Sequence, residues 1–519
     1  MFNQDPWQKT ASKHTTSCVR FRGLGVEGVG VSAGNQQQDD AKSPAPPSAA
    51  GGPQAAASPQ RPGETFPWFE HWYPVAVLAD LDPRKPHAAH LLGIPLALWR
   101  DKSDTWHAVE DKCPHRLAPL SEGRVESDGT LQCAYHGWQF DGRGACTHIP
   151  QLRGDDKAQQ VACASRRACV RAFPVQEVHG LLWVLPDSSE EAWSKAAEKP
   201  MPVNAIRDLV DPKDPSSRFK QQSQWFARDL PIRYDTLCEN LLDPSHIPFA
   251  HHGVMGKRTK EQGSSTAVRA MGLGGFESHV SLTGGEGRVT FEAPCLSKYE
   301  LQRLPFVPAL FAVPTKPGWS RFFYTTLLNT KVEHKIPALV IAIFSFISGI
   351  GWFEHNNSRN RVLDGDTYIL HVQERLLRAQ GDDWRRGYYM PAPADSSVVA
   401  MRRWLDEFGG AVPTCEPGAP LPPAMSKREV LDRYSQHTAH CSHCQKALRN
   451  IDLATALAAA GAALAAVWLV ARAVVGLPLL APASGWGALA AVACAGVLAA
   501  LRSLRHQFFY VDYVHAEKH

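Results

Sequence analysis

No excess of either charge marks this chain: 55 basic residues face 51 acidic ones, a formal net charge of +4 over 519 residues. A nucleic-acid binder needs a strongly basic face, so DNA and RNA are excluded as a partner class. A disulfide framework is missing too, because the 12 cysteines are scattered through a chain far larger than the small secreted domains that rely on one. The implied compartment is reducing. The first 62 residues lack a long apolar run, and their only acids are Asp5, Glu27, Asp39 and Asp40 among Gln, Ala, Pro, Ser and Gly. Such a stretch cannot build a core and is not a secretory signal, so 1–62 reads as a transit peptide or a disordered leader.

What is present is length enough for two folded domains with appendages. Order is expected from about residue 66, where short β-rich runs alternate with Pro, Gly and Asp, and the small β domain should close near 190. Inside it, Cys113-Pro114-His115-Arg116-Leu117 is followed by Cys133-Ala134-Tyr135-His136-Gly137-Trp138, with 17 residues between His115 and Cys133. Two thiolates on one iron and two imidazoles on the other are what a Rieske [2Fe–2S] centre requires. Cys113 and Cys133 would hold one iron, and His115 and His136 the other. A closed zinc cage uses the same donors, but its usual spacing keeps Cys with Cys and His with His. Gly137 and Gly142 favour iron–sulfur, since backbone N–H groups must come close to the sulfides there.

A second domain is expected over 221–410. A helix-like segment from Tyr234 runs into Asp243-Pro244-Ser245-His246-Ile247-Pro248-Phe249-Ala250-His251-His252. Two imidazoles from this stiff turn plus a distant carboxylate would form the facial triad that binds non-haem Fe(II) and leaves positions open for O₂. Asp364 and Asp366 compete for the third place. Asp364 suits a helix N-cap, whose carboxylate is used up on backbone N–H groups, so Asp366 is the expected ligand, facing inward with Ile369, Leu370 and Gln373. His252 and His371 are expected to be packing or surface histidines. Asp243 is expected either to form the turn before Pro244 or to act in catalysis, and Asn240 either to pack or to sit beside the iron. The uncharged stretch 336–353 reads as a core or membrane-dipping helix, because a span there would part the iron ligands across a bilayer.

At the C-terminal end, 453–471 and 485–501 are uncharged runs of 19 and 17 residues. They read as two transmembrane helices, with a buried hairpin as the alternative. Lys446 and Arg449 before the first and Arg502 and Arg505 after the second put both flanks on one positive side; a tail, 502–519, follows. Just upstream, in 428–446, Cys441 and Cys444 form a Cys-x-x-Cys pair that suits a redox switch, with a thioredoxin as candidate partner, or half a zinc site with His437 or His440.

These motifs, with Asp-Gly-Asp at 364–366 and the ending Val511-Asp512-Tyr513-Val514-His515-Ala516-Glu517, resemble the pheophorbide a oxygenase family of plastid Rieske oxygenases over 66–519. The resemblance implies an α+β chain: an N-terminal all-β Rieske domain, a helix-grip domain holding mononuclear iron, and a C-terminal two-helix transmembrane hairpin. It also implies reduced ferredoxin as electron donor, a homotrimer in which Asp243 bridges to the neighbouring subunit's cluster, and a chloroplast membrane, inner envelope or thylakoid, with the catalytic part facing the stroma. The implied substrate is a tetrapyrrole, pheophorbide a ring opening in chlorophyll breakdown being the leading case. Related members act on protochlorophyllide-type pigments, hydroxylate phyllobilins, or belong to inner-envelope import machinery, where the cluster would serve as a redox sensor. Chlorophyllide a oxygenase is similar as well but lacks the terminal Cys-x-x-Cys.

Overall fold

In the computed structural model, β1 (Tyr73–Val77), β2 (His87–Leu91), β3 (Ile94–Arg100), β4 (Trp106–Glu110), β5 (Arg124–Val125), β6 (Leu131–Gln132), β7 (Gln139–Phe140), β8 (Cys146–His148), β9 (Ala172–Phe173), β10 (Val175–Val178) and β11 (Leu181–Val184) form three antiparallel sheets. Their orders are β2-β3-β4-β9, β5-β6-β7-β8 and β1-β11-β10. The structure describes residues 64–198 and 218–517, apart from 262, 283–284, 303, 330–338, 340–341, 344–345, 347–348, 417–418 and 478–481. The leader 1–62 and most of the stretch 336–353 therefore lie outside the described residues.

The second region is one large antiparallel sheet of β12 (Phe219–Gln221), β13 (Phe226–Leu230), β14 (Ser265–Gly272), β15 (Gly275–Leu282), β16 (Gly285–Glu292), β17 (Leu296–Leu301), β18 (Phe306–Lys316) and β19 (Trp319–Asn329). The order is β12-β19-β18-β17-β16-β15-β14, with β13 also paired to β19. Side chains alternate faces along a strand. On β18, Val307, Ala309 and Phe311 therefore go into the core, while Phe306, Pro308 and Leu310 line the opposite face.

The longer helices of this region are α1 (Tyr234–Leu242), α2 (Asn360–Ala379) and α3 (Ser396–Trp404). Leu363 and Leu370 of α2 belong to the same continuous core as Val280, Phe311 and Phe322 of the sheet. All but one residue of α1 is buried. Its carboxylates Asp235 and Glu239, one turn apart, both pair with Arg402 of α3, which makes burial of that polar face tolerable. The β domain is joined to the sheet by backbone: Leu92 and Gly93 N–H groups donate to Pro314 and Thr315 carbonyls of β18 at 2.9 and 2.7 Å.

Two long apolar helices, α4 (Ser442–Val474) and α5 (Pro482–His506), end the chain. Arg505 pairs with Asp452 at 2.7 Å, a Cβ on Gly461 would meet Cys494 and one on Gly487 would meet Trp468. Those pairs advance in opposite directions, so the helices form an antiparallel hairpin. The buried-hairpin alternative fails, because none of the most apolar windows of either helix is covered by protein. Both are long and apolar enough to cross a membrane.

Candidate iron centres and substrate cavity

The two Rieske-type loops repeat one backbone pattern. Cys113 N–H donates to Ala118 O and Leu117 N–H to Cys113 O, both at 2.8 Å; Cys133 N–H donates to Trp138 O at 2.8 Å and Gly137 N–H to Cys133 O at 3.0 Å. The equivalent positions Leu117 and Gly137 both take the left-handed conformation, at φ 60° and 73°. Only glycine adopts it without strain, so Leu117 is held there by the loop. Gly142 is placed differently from expectation: its missing side chain makes room for the His107 ring, with which any Cβ would collide.

The four donors of these loops converge. Cys113 and Cys133 are buried, and the His115 and His136 rings lie 4.5 Å apart. Trp138 stacks on His115 at 4.9 Å and 5°, which fixes the imidazole's plane, and His115 Nδ1 is buried with no partner among the described residues. Burial, together with Cys133 alongside, pushes the Cys113 thiol up to about 11. Two buried cysteines side by side would need a compensating cation to be held as thiolates, so this donor set fits an iron–sulfur cluster.

The second centre forms where α1 ends. Asp243 caps the following turn, its Oδ1 accepting from Ser245 N–H at 2.8 Å and from Ser245 Oγ at 2.5 Å. Pro244 and Pro248 open two successive short turns, after which His251 N–H closes on Ile247 O at 3.2 Å. That stiff geometry aims both imidazoles at α2. His251 Nε2 lies 3.2 Å from Asp366 Oδ2 and His246 Nε2 3.9 Å from Asp366 Oδ1; one ligand atom from each residue falls within 4.8 Å of the others. The set fits a facial triad. Asp243 Oδ2 is 3.6 Å from His246 Nδ1 on the side away from Asp366. Burial opposes the charge of both groups, but their mutual attraction wins: the Asp243 carboxyl is held low and the His246 imidazole is raised.

Asp364 is not an N-cap. The helix begins earlier than expected, and the Asp364 carboxylate, fully buried, is taken by Arg228 Nη1 at 2.8 Å and Arg433 Nε at 2.7 Å. Ile369, expected to face inward with Asp366, is 46 % exposed, whereas Leu370 is buried. His371 and His252 are satisfied elsewhere, His371 against Pro231 O and Arg375, His252 by the Arg258 N–H.

Two residues that lie in motifs of the sequence, but to which the sequence assigns no role, act in positioning. Gly365 sits against the back of His251: a Cβ there would lie 3.1 Å from His251 Nδ1, 3.2 Å from Ala250 O and 3.3 Å from the Tyr513 ring. Tyr513, from the tail beyond the hairpin, donates to Ala250 O at 2.8 Å. Gly365→Ala is therefore expected to displace His251 and weaken mononuclear iron binding about 10-fold, read as iron lost from the holoprotein while the Rieske spectrum is retained.

Above the triad is a cavity of about 260 Å³. Asn240, Asp243, His246, His251 and Asp366 line one side, and Phe306, Leu310, Phe322 and Tyr324 contribute apolar wall. Leu310 and Tyr324 are register partners on β18 and β19, so that wall is the sheet face opposite the one that carries Phe311 and Phe323. Tyr299 ties wall to site, its hydroxyl donating to Leu241 O at 2.6 Å.

Residues 71–174 match the Rieske [2Fe-2S] domain and residues 291–384 the pheophorbide a oxygenase domain. The protein is accordingly an oxidoreductase of the Rieske oxygenase class, using an iron–sulfur cluster and a non-haem iron with a redox partner. Over 515 residues it is 37 % identical to the chloroplastic pheophorbide a oxygenase of Oryza sativa subsp. japonica, covering 91 % of this chain and 90 % of that one. It is 34 % identical to the chloroplastic flavonoid 8-hydroxylase 2 of Ocimum basilicum, covering 76 % of each, and 31 % identical to the chloroplastic protochlorophyllide-dependent translocon component 52 of Arabidopsis thaliana, covering 75 % of each. The chain belongs to the pheophorbide a oxygenase family.

Proposed function

We propose that this protein is a ferredoxin-fed monooxygenase of a chloroplast membrane acting on a chlorophyll-derived tetrapyrrole, with pheophorbide a ring opening as the reaction. Cys113 and Cys133 would hold one iron of the cluster and His115 and His136 the other, while His246, His251 and Asp366 would hold the mononuclear iron. When bound, that Fe(II) supplies an open position for O₂. The chain's own contribution is placement. The sheet face carrying Phe306, Leu310 and Tyr324 receives a flat apolar ring system and keeps water from it, and Asn240 borders the reacting edge. Asp243, held against His246, stands on the side from which a neighbouring subunit's cluster histidine would deliver electrons in a homotrimer. The hairpin anchors the protein, with its basic ends and the Tyr513 tail on the stromal side together with the catalytic part.

The observation that carries this reading is the convergence of His246, His251 and Asp366 at the edge of an apolar cavity, in a chain aligned to a pheophorbide a oxygenase along nine-tenths of its length. A sensor subunit would have no use for a second iron site. The test is turnover by the holoprotein with reduced ferredoxin and O₂, offered pheophorbide a, protochlorophyllide, a phyllobilin and a flavone in parallel. Ring-opened product from pheophorbide a is expected. Product only from the flavone would move the protein to the flavonoid branch, and product from none, with both iron centres loaded, would overturn the enzymatic reading.

A further inference from the structure

We propose that His355, His437, Cys441 and Cys444 form a closed Zn²⁺ site, separate from both iron centres, that pins the first membrane helix to the helix bearing Asp366. The sequence suggests only half of it. His440, one of the two histidines considered there, is not in the group, and His355 comes from 86 residues before Cys441. All four residues are buried, and one ligand atom from each lies within 4.8 Å of the others.

Three sulfur–nitrogen separations are close to the edges of a tetrahedron around one ion. With Zn–S near 2.3 Å and Zn–N near 2.05 Å, an S···N edge should be about 3.6 Å. Cys441 Sγ is 3.4 Å and Cys444 Sγ 3.9 Å from His355 Nδ1, and His437 Nε2 is 3.3 Å from Cys444 Sγ. His437 Nδ1 lies 2.7 Å from Ala227 O. Donating its proton there leaves the Nε2 lone pair facing the sulfurs, the arrangement in which ligating histidines are held by an outer partner. Asn356 Nδ2 reaches Cys444 Sγ at 3.8 Å, a donor suited to a thiolate, and Phe226 covers both rings, 5.2 Å from His355 and 4.5 Å from His437. Two thiolates and two neutral imidazoles cancel the charge of Zn²⁺, so the loaded site is electrically neutral in an apolar setting. Four protein ligands leave no open position, so the role is structural. A dithiol switch would use the same sulfurs but leave both imidazoles without a task.

Placement gives the site its consequence. Cys441 caps the start of α4 and Cys444 stands in its first turn; His437 is anchored on β13 through Ala227; His355 lies in the helical turn that runs directly into α2. One ion would tie all three together.

The test is elemental analysis of the full-length protein purified without metal-chelating resin and with both iron centres loaded. About one zinc per chain is expected beside about three irons. Cys441→Ser and His355→Ala should each drop zinc below about a fifth of a site, with the Rieske electron paramagnetic resonance signal retained, whereas His355→Cys should keep it, since three cysteines and one histidine also make a closed site. Growth with cobalt should give wild-type protein the visible bands of tetrahedral thiolate-bound Co²⁺, a readout that stands if the variants fail to fold. Wild-type protein without zinc or cobalt at this site, a Cys441–Cys444 disulfide as purified, or zinc undiminished in Cys441→Ser and His355→Ala would each overturn the proposal.

Discussion

Asp366→Ala is expected to abolish turnover while leaving the electron-accepting half of the molecule intact. Its two oxygens face His246 Nε2 and His251 Nε2 at 3.9 and 3.2 Å, and among the described residues no other carboxylate joins those imidazoles in a ligand group. Asp364 cannot substitute, because both of its oxygens are held by arginines. Iron should fall from about three to about two atoms per chain, the remaining two carrying an unaltered Rieske spectrum. A bound metal contributes several kcal/mol of rate acceleration, and each 1.36 kcal/mol is one decade, so the rate should drop at least about 10³-fold. His246→Ala should behave alike. Residual turnover within about 10-fold of wild type in either variant would remove this triad from the mechanism.

Which parts of this arrangement could be read from the chain alone depends on how far apart the cooperating residues lie. Each Rieske-type loop carries its thiol and its imidazole within four residues, and the His246/His251 turn is stiffened by its own prolines, so local chemistry suffices to mark them as candidates. Helix-cap chemistry favours Asp366 over Asp364 in the sequence, but Asp364 lies inside the helix and is occupied for a different reason. What occupies Asp364 is Arg228 and Arg433, 136 and 69 residues away, and no spacing rule reveals such a pair. His355 stayed hidden for the same reason. The cavity wall was hidden differently: Phe306, Pro308 and Leu310 alternate with core residues on a strand apolar on both faces, so the period-2 signal that marks a half-exposed strand is absent. The tail motif around Tyr513 was visible as a resemblance, but its contact with Ala250 depends on the hairpin bringing the chain back.

Asp364→Ala should cost more stability than an ordinary core truncation. Its side chain is fully buried between Arg228, equally buried, and Arg433, 2 % exposed, so one negative charge serves two guanidinium groups. The remaining partners are neutral: Gln436 Oε1 and Asn360 Oδ1 accept from Arg228, and Gln507 O accepts from Arg433. Burial, with Arg228 as an added repulsion, already depresses Arg433 against the pull of Asp364. Removing the carboxylate leaves two like charges uncompensated in a dry interior, a loss of about 3–5 kcal/mol, which should lower the melting temperature by about 5–10 °C in calorimetry. The cause can be separated from cavity formation by adding Arg228→Met. If the loss is electrostatic, the double variant should recover part of it, because a thioether of similar length fills the space without a charge; if the two losses simply add, the carboxylate acts through packing alone. The effect should reach the iron site, since Arg228 lies on β13, Arg433 precedes α4, and Asp364 stands two residues before Asp366 on α2. Lower mononuclear iron occupancy in Asp364→Ala, with the cluster retained, is the expected sign that this buried trio orients Asp366 as well as holding the elements together.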